Sequence, residues 1–317
     1  MHYPDLPEKT EVVWLETADH ISLRTARFPA RSPERGQLVI VNGHREYMEK
    51  YAEFITEWQE CGFSVYSMDH RGQGLSSRLL EDRRKSYIRT FDDYIADLHR
   101  MIDHFGLVKN MGEGKTVSSG GAQYILGHSM GGHIALRYLY DHPGVFDKAV
   151  LLSPMMGINL GPPFFSSLSR GLVRLAMRLG FDAVYAPGQG AKNREVLKLL
   201  VNTLLTHDAR RYDEERRILE RCPDLYSGGA TFGWLDAALK SLETVWQPGY
   251  VESIQTPLLA LLAQQEKLVD NKAARRLLSR LPNAEIHIVK GAYHEIYRET
   301  APLRQVMWDH LRQFLDL

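Results

Sequence analysis

Short apolar segments alternate with amphipathic segments along most of the chain. The apolar segments have the length of β-strands, whereas the amphipathic segments repeat apolar residues at helical spacing. The predicted strands are 36–43, 63–70, 122–129, 146–154, 256–264 and 284–291. The predicted helices are 48–60, 91–105, 131–143, 271–281 and 302–317. This alternation predicts an α/β fold in which a mostly parallel sheet is covered by helices on both faces.

Two parts of the chain depart from this alternation. Residues 10–17 and 21–28 predict an opening hairpin that forms an antiparallel edge of the sheet. Residues 155–250 are rich in helix-forming residues and are too long for a simple loop. We therefore predict a helical cap inserted into the sheet domain. The predicted division is 1–154 and 251–317 for the sheet domain and 155–250 for the cap.

Composition and charge narrow the classes of function. The chain has 317 residues, 44% of them hydrophobic and 25% charged, as in ordinary globular proteins. Lysine plus arginine and aspartate plus glutamate both number 39, so the basic excess typical of nucleic-acid-binding proteins is absent. Cys61 and Cys222 have no metal-ligand spacing and form no disulfide framework. We expect no nucleic-acid partner.

Neither a secretory signal nor a membrane span is visible in the sequence. The N-terminal residues lack a positively charged start followed by an apolar stretch. The longest apolar runs, such as 258–263, are much shorter than a transmembrane helix. We expect a cytoplasmic protein, with peripheral contact at the inner face of the membrane as an open alternative. Residues 111–122 predict a surface loop.

The segment GHSMGG, residues 127–132, lies between a predicted strand and a predicted helix. Gly127 and Gly131 flank Ser129 in the pattern of a tight turn that presents a nucleophilic serine. The flanking residues must be very small because the backbone doubles back on itself. Met130 begins the helix, so its backbone N–H points towards a developing negative charge. Ser129 is the candidate nucleophile and Met130 a candidate oxyanion-hole residue.

A serine hydroxyl needs a general base at neutral pH, and that base needs an orienting acid. His294 follows the last predicted strand and is the candidate base, so activity should fall below a pH of about 6–7. The loop after 256–264 carries two carboxylates, Glu266 and Asp270. Glu266 is favoured because it lies nearer the carboxyl end of the strand. Asp270 precedes a helix, which also makes it an N-cap candidate, and it stays the alternative acid.

A second oxyanion donor is expected in the loop after 36–43. The backbone N–H of His44 is the candidate, and a plain tight turn is the alternative interpretation. Residues 69–77, DHRGQGLSS, are interpreted as structural support around the site. His128 and His133 flank the serine turn, and we expect them to face the interior or solvent rather than to act as the base.

These motifs resemble those of the α/β-hydrolase family, and within it the bacterial lysophospholipase and monoacylglycerol-lipase branch. NGHREYMEKYAEF resembles the oxyanion segment of that branch, with Asn42 where a histidine is usual. DHRGQGLS, GHSMGG and GAYHE resemble three further motifs of the branch. The resemblance implies a triad of Ser129, His294 and an acid at Glu266, although most of the branch has aspartate there. Asp270 matches a second acidic position.

The resemblance also implies a substrate class. It implies hydrolysis of the ester of a single-chain acyl lipid, with neither a metal nor an organic cofactor. The segments VNTLLTHDARRY and GGATFGWL resemble the bacterial lysophospholipases in particular, which favours a lysophospholipid. The alternatives are a monoacylglycerol lipase, a general carboxylesterase or a lysolipid acyltransferase. A non-catalytic hydrolase-like binding protein is the alternative from a different class. A serine at 129 excludes the hydrolases that use a carboxylate nucleophile.

Residues 162–181 of the predicted cap combine an apolar set with arginines at four-residue spacing. The apolar set expected on one helix face is Phe164, Phe165, Leu168, Leu172, Leu175, Ala176 and Leu179. The arginines are Arg170, Arg174 and Arg178. One interpretation is a cap helix packed on the core with a solvated arginine face. The alternative is an apolar wall for the acyl chain, with the arginines near anionic headgroups or a membrane surface.

Overall fold

The computed structural model describes residues 5–108, 121–158, 163–191 and 204–317, with side chains from residue 170 onward in the third range. In these ranges the chain forms an eight-stranded sheet. The strands are β1 (Glu11–Glu16), β2 (Ser22–Phe28), β3 (Gly36–Val41), β4 (Phe63–Met68), β5 (Ala122–His128), β6 (Lys148–Leu152), β7 (Leu258–Ala263) and β8 (Ala284–Val289). Each strand lies within a segment predicted as a strand. Most of the loop predicted at 111–122 lies outside the described residues.

The strands are ordered β1-β2-β4-β3-β5-β6-β7-β8 across the sheet. β1 pairs antiparallel with β2, and β2 pairs antiparallel with β4. All other neighbouring strands are parallel. The opening hairpin therefore forms the antiparallel edge that the sequence predicted. β7, with the sequence LLALLA, is buried along its whole length, as expected for a parallel strand covered on both faces.

Eight α-helices accompany the sheet in the described part of the chain. They are α1 (Ala52–Glu60), α2 (Phe91–His104), α3 (Met130–Asp141), α4 (Pro163–Arg178), α5 (Ala209–Arg221), α6 (Phe232–Val245), α7 (Asn271–Leu278) and α8 (Ala301–Leu315). α1 and α8 contribute to the core on one face, where the rings of Trp58 and Trp308 lie 5.1 Å apart. α2, α3 and α7 contribute to the core on the other face. Apolar burial on both faces stabilises the sheet.

Three of these helices, α4, α5 and α6, lie between β6 and β7. α4 packs on α6, and α6 also contacts α2 beside the sheet. Ile218 and Leu219 of α5 are buried against Tyr47, which follows β3. These helices therefore reach over the carboxyl ends of the strands, while the division into two domains stays a prediction. No helix in the described ranges has both the length and the apolar character needed to cross a membrane.

Candidate active site

Ser129 lies in the turn that joins β5 to α3. Its φ is 54° and its ψ is −118°, a conformation that non-glycine residues rarely adopt. The Ser129 N–H donates to the Leu152 carbonyl oxygen at 3.0 Å, and the Ser129 carbonyl oxygen accepts from the Met155 N–H at 2.9 Å. The end of β6 therefore holds the turn in its strained conformation.

The two glycines around Ser129 are required by close backbone contacts. A Cβ atom on Gly127 would overlap the carbonyl oxygen of Gly131. A Cβ atom on Gly131 would overlap the carbonyl oxygen of Val41, at the end of β3. The start of α3 thus lies directly against β3 and β5, and only glycine leaves room for this approach.

His294 and Glu266 come from different loops and form a buried pair. His294 follows β8, and Glu266 follows β7. Their Nδ1 and Oε2 atoms are 2.6 Å apart, and the two side chains are only 4% and 1% exposed. The other oxygen of Glu266 accepts from the N–H groups of Leu268 at 2.7 Å and Val269 at 3.2 Å. Since a carboxylate only accepts hydrogen bonds, Nδ1 carries the proton and Nε2 is the basic nitrogen.

Asp270, the alternative acid, has a different set of partners. Its carboxylate accepts from the N–H groups of Lys272 at 2.9 Å and Ala273 at 3.0 Å, so it caps the N-terminus of α7. The structure thus brings Glu266, the favoured carboxylate, to His294.

Glu266 and His294 each shift the pKa of the other. Burial raises the pKa of the Glu266 carboxyl, but the charge and hydrogen bond of His294 outweigh burial and hold this pKa below its usual value. Burial lowers the pKa of His294, but the Glu266 charge and hydrogen bond outweigh it and raise the pKa above 6.5. The pair therefore favours an imidazolium, the form that a histidine base reaches after accepting a proton.

The two candidate oxyanion residues lie at the ends of neighbouring strands. Met130 is the first residue of α3, where free backbone N–H groups and the helix dipole favour negative charge. His44 follows β3, in a turn held by the Gly43 N–H, which donates to Glu46 Oε2 at 2.6 Å. The His44 ring stacks on Trp234 at 4.0 Å, and burial lowers its pKa to about 3. The ring is therefore neutral and carries a single N–H, and the backbone N–H of His44 stays the candidate oxyanion donor.

A buried ionic network beside the site was missed by the sequence analysis. Lys50 Nζ lies 3.0 Å from Glu46 and 2.6 Å from Glu295, and all three side chains are buried. Arg298 also contacts Glu295, at 2.8 Å. Burial raises the pKa of Glu46, but Lys50 and His128 outweigh burial and keep the pKa well below its usual range. The network joins the loop of His44 to the loop of His294. One signal was available, because Glu295 directly follows the candidate base.

The other motif residues have structural partners. Asp69 accepts from the N–H groups of Met48 at 3.0 Å and Leu75 at 2.7 Å, and it is paired with a buried arginine. His128 Nδ1 lies 3.1 Å from Glu46, and His133 Nε2 lies 2.6 Å from a serine hydroxyl of α6. Both histidines are buried, within the expectation that they face the interior or solvent. Within the described ranges, no group of three or more histidine, cysteine or acidic side chains is arranged to hold a metal ion.

Ser129, His44 and His294 line a cavity of about 780 Å³, a volume usual for a small-molecule site. The lining is mixed in character. Its apolar side chains include Met155, Ile158, Leu172, Val173, Phe232 and Leu235. Its polar and charged side chains include Arg45, Tyr212, Glu215, Arg216, Tyr226 and Lys267. The cavity can therefore receive a molecule with both an apolar and a charged part.

The buried face of α4 includes Ala176 of the predicted apolar set but not the three leucines of the set that the structure describes. Val173 and Ala176 are buried and pack with Phe232 and Leu239 of α6. Three leucines of the predicted apolar set, Leu172, Leu175 and Leu179, are 45%, 53% and 59% exposed, and Leu172 lines the cavity of Ser129. The reason is that α4 approaches α6 through its smaller side chains, so the leucine stripe turns to solvent. The side chains of Phe164, Phe165 and Leu168 lie outside the described residues.

Comparison with known proteins places this architecture among characterised folds. The family model described as serine aminopeptidase, S33, matches residues 32–301. The chain is 34% identical over 309 residues to lysophospholipase L2 of Escherichia coli strain K12, covering 94% of this chain and 85% of the relative. It is 31% identical over 286 residues to the probable lysophospholipase L2 of Haemophilus influenzae, covering 90% and 85%.

A solved structure agrees in fold. A soluble variant of monoglyceride lipase from Saccharomyces cerevisiae, in complex with a substrate analog, matches with a TM-score of 0.73. The two sequences are 18% identical, and the match covers 99% of this chain and 98% of the other. The sheet topology and this likeness define an α/β hydrolase, which confirms the predicted fold class. With the family model matching residues 32–301, the chain belongs to the serine aminopeptidase S33 family of hydrolases.

Proposed function

We propose that the protein is a serine ester hydrolase that cleaves the acyl ester of a single-chain lipid, with a lysophospholipid as its preferred substrate. The main support for this proposal is the cavity of about 780 Å³, which Ser129 and His294 line together with both apolar and charged side chains. The apolar side chains suit an acyl chain, and the charged ones suit a polar headgroup. The two relatives named lysophospholipase L2 support the choice of substrate.

In the proposed reaction, the Ser129 hydroxyl attacks the acyl carbonyl while Nε2 of His294 takes its proton. Glu266 orients the imidazole through the 2.6 Å hydrogen bond and stabilises the imidazolium. The backbone N–H groups of Met130 and His44 stabilise the oxyanion, and loss of one such donor typically slows a reaction about 100-fold to 1000-fold. His294 then protonates the leaving glycerol oxygen. Water activated by the same histidine releases the fatty acid.

The first test compares three substrates. Purified protein is incubated with lysophosphatidylcholine, a monoacylglycerol with the same acyl chain and a short p-nitrophenyl ester, beside Ser129→Ala. We expect the lysophospholipid to be cleaved with the highest kcat/KM and Ser129→Ala to be inactive. Preference for the monoacylglycerol or the short ester would contradict the substrate proposal, and transfer of the acyl group to a second lipid would identify an acyltransferase. Failure of a fluorophosphonate probe to label Ser129 would favour a non-catalytic binding protein.

We further propose that α4 contacts the membrane that holds the substrate. Leu175 and Leu179 are more than half exposed, and Phe181 is half exposed. Arg170 and Arg174, also exposed, share one exposed glutamate of α6 at 3.7 Å, which cannot neutralise both charges. An apolar stripe beside basic side chains is typical of helices that bind an anionic membrane surface.

Vesicle sedimentation tests this contact. The triple variant Arg170→Gln, Arg174→Gln and Arg178→Gln should bind vesicles that contain anionic lipid more weakly than the wild type. A matched control removes the same charge at exposed positions elsewhere, with Arg31→Gln, Arg83→Gln and Arg275→Gln. Equal loss of binding in both triple variants would indicate a general effect of net charge. Unchanged vesicle binding of the α4 triple variant would exclude a role for Arg170, Arg174 and Arg178.

A further inference from the structure

Arg45 lies next to the candidate oxyanion residue His44 and lines the same cavity as Ser129. Its φ is 66°, in the left-handed region that is uncommon for arginine. Its backbone N–H donates to the side chain of Gln73, which is buried. The unusual backbone conformation is thus held by a specific contact, and it fixes where the Arg45 side chain leaves the loop.

The Arg45 side chain is positioned as well as its backbone. Its Nε donates to the carbonyl oxygen of Ser227 at 3.0 Å, and its guanidinium carbon lies 6.0 Å from the centre of the Tyr226 ring. Arg78 in turn holds this segment, because it donates to the Ser227 hydroxyl at 2.6 Å and to the Asp224 carbonyl oxygen at 2.8 Å. The guanidinium of Arg45 is therefore oriented before any ligand binds, which lowers the entropy cost of binding.

None of the described residues neutralises the charge of Arg45. Across the described ranges, no carboxylate lies within ion-pair distance of Arg45, and its Nη atoms form no hydrogen bond. The other basic residues of the cavity differ. Lys50 contacts buried carboxylates, and Arg216 lies 2.5 Å from Glu220. Lys267 is exposed and rests over the ring of Tyr293 at 5.7 Å. Among the described residues, Arg45 thus combines an unpaired charge with a fixed orientation in the cavity that Ser129 lines.

We propose that Arg45 binds the phosphodiester of the substrate and selects lysophospholipids over uncharged monoacylglycerols. Only a short glycerol linker separates the phosphate from the ester carbonyl. A residue that binds the phosphate must therefore lie close to the oxyanion loop, as Arg45 does. The guanidinium offers paired N–H donors that match phosphate oxygens. This inference rests on the proposed function, since it assigns the headgroup contact of the same site.

The test measures the ratio of kcat/KM for a lysophosphatidylcholine to that for the monoacylglycerol with the same acyl chain. Both are used below their critical micelle concentrations, so that surface charge plays no part. Arg45→Gln should lower this ratio about tenfold to a hundredfold, the range for loss of charged hydrogen bonds. Lys267→Gln removes a neighbouring cavity charge and should change the ratio less than about threefold. If Arg45→Gln does not fold, Arg45→Lys replaces it in the test. This variant should also lower the ratio, because lysine lacks the paired N–H donors of a guanidinium.

Several results would overturn the proposal. The ratio would stay constant in a folded Arg45 variant if Arg45 had only a structural role. An equal fall in Lys267→Gln would indicate general electrostatic attraction. Inhibition of monoacylglycerol hydrolysis by inorganic phosphate that depends on Arg45, without a change in the ratio, would identify a free-anion site. If the wild type cleaves neither lipid, the proposed function fails; if it cleaves both and the ratio is constant, the headgroup assignment alone fails.

Discussion

Replacing Glu266 by glutamine is the most direct perturbation of the proposed triad. Glutamine has nearly the same shape, but it cannot carry the negative charge that faces Nδ1 of His294 at 2.6 Å. The backbone N–H groups of Leu268 and Val269 also lose a charged acceptor. The substitution therefore removes the charge and leaves the packing almost unchanged.

The size of the effect follows from burial. Surface ion pairs contribute only about 0–1 kcal/mol. Here both side chains are at most 4% exposed, so the larger value for a broken buried pair, about 3–5 kcal/mol, applies. At about 1.4 kcal/mol for each factor of ten, kcat/KM should fall about 140-fold to 3700-fold. The loss appears in the rate because the imidazolium forms in the transition state.

The pH profile gives a second and independent readout. The histidine base works only when neutral, so the wild-type kcat/KM should fall as pH drops through a His294 pKa above 6.5. Without the Glu266 charge, only Glu295 and Glu46 still oppose the effect of burial, so the pKa of His294 falls. The acidic limb of the slower variant should therefore move to lower pH. An unchanged limb would mean that Glu266 does not control the ionisation of the base.

Asp270→Asn is the matched control for the choice of acid. Asparagine caps helices about as well as aspartate, so α7 should stay folded. The control should retain nearly full activity, because the Asp270 carboxylate bonds to the backbone of α7. Rates are measured with a short ester, and folding is checked by circular dichroism. The assignment is refuted if Asp270→Asn loses as much activity as Glu266→Gln, or if Glu266→Gln keeps more than about a tenth of the wild-type rate.

Three further predictions concern stability. Gly131→Ala should reduce probe labelling of Ser129 and lower the Tm, because the new Cβ overlaps the Val41 carbonyl; an unchanged Tm would contradict this contact. Ser129→Gly should unfold at higher urea than Ser129→Ala, by about 1 kcal/mol, because glycine relieves the strain at a φ of 54°; equal midpoints would mean that the turn is unstrained. Lys50→Met should cost about 3–5 kcal/mol in urea unfolding, and Arg312→Met, which breaks a pair exposed on both sides, below about 1 kcal/mol; similar costs would refute the buried network.

The strands and the serine turn could be predicted from the sequence because their signals are local. β7 is a run of six apolar residues, and the glycines around Ser129 lie two positions away on each side. The position of His294 followed from its place after the last strand. The choice between Glu266 and Asp270 was harder. Both residues follow the same strand, and no local sequence pattern shows which of the two carboxylates points towards the loop after β8.

The face of α4 that packs against α6 could not be predicted, for a related reason. Helical periodicity reveals that a helix has an apolar face, but the partner of that face is set by tertiary packing. Two apolar stripes compete on α4, and the one with Val173 and Ala176 meets α6. The contact is decided by residues of α6 about sixty positions later in the chain, which no local pattern of α4 contains.

The buried network of Lys50, Glu46 and Glu295 is best understood as a positioning device. Burying charges costs desolvation energy, so a buried ion pair is weak evidence for net stability. These charges lie between two loops that approach the cavity from β3 and β8, and apolar burial, unlike a hydrogen-bonded ion pair, is not directional. Each ion pair at 2.6–3.0 Å instead has one favourable geometry. Since Glu46 also accepts from the Gly43 N–H and Glu295 follows His294, the network fixes the candidate oxyanion loop relative to the candidate base.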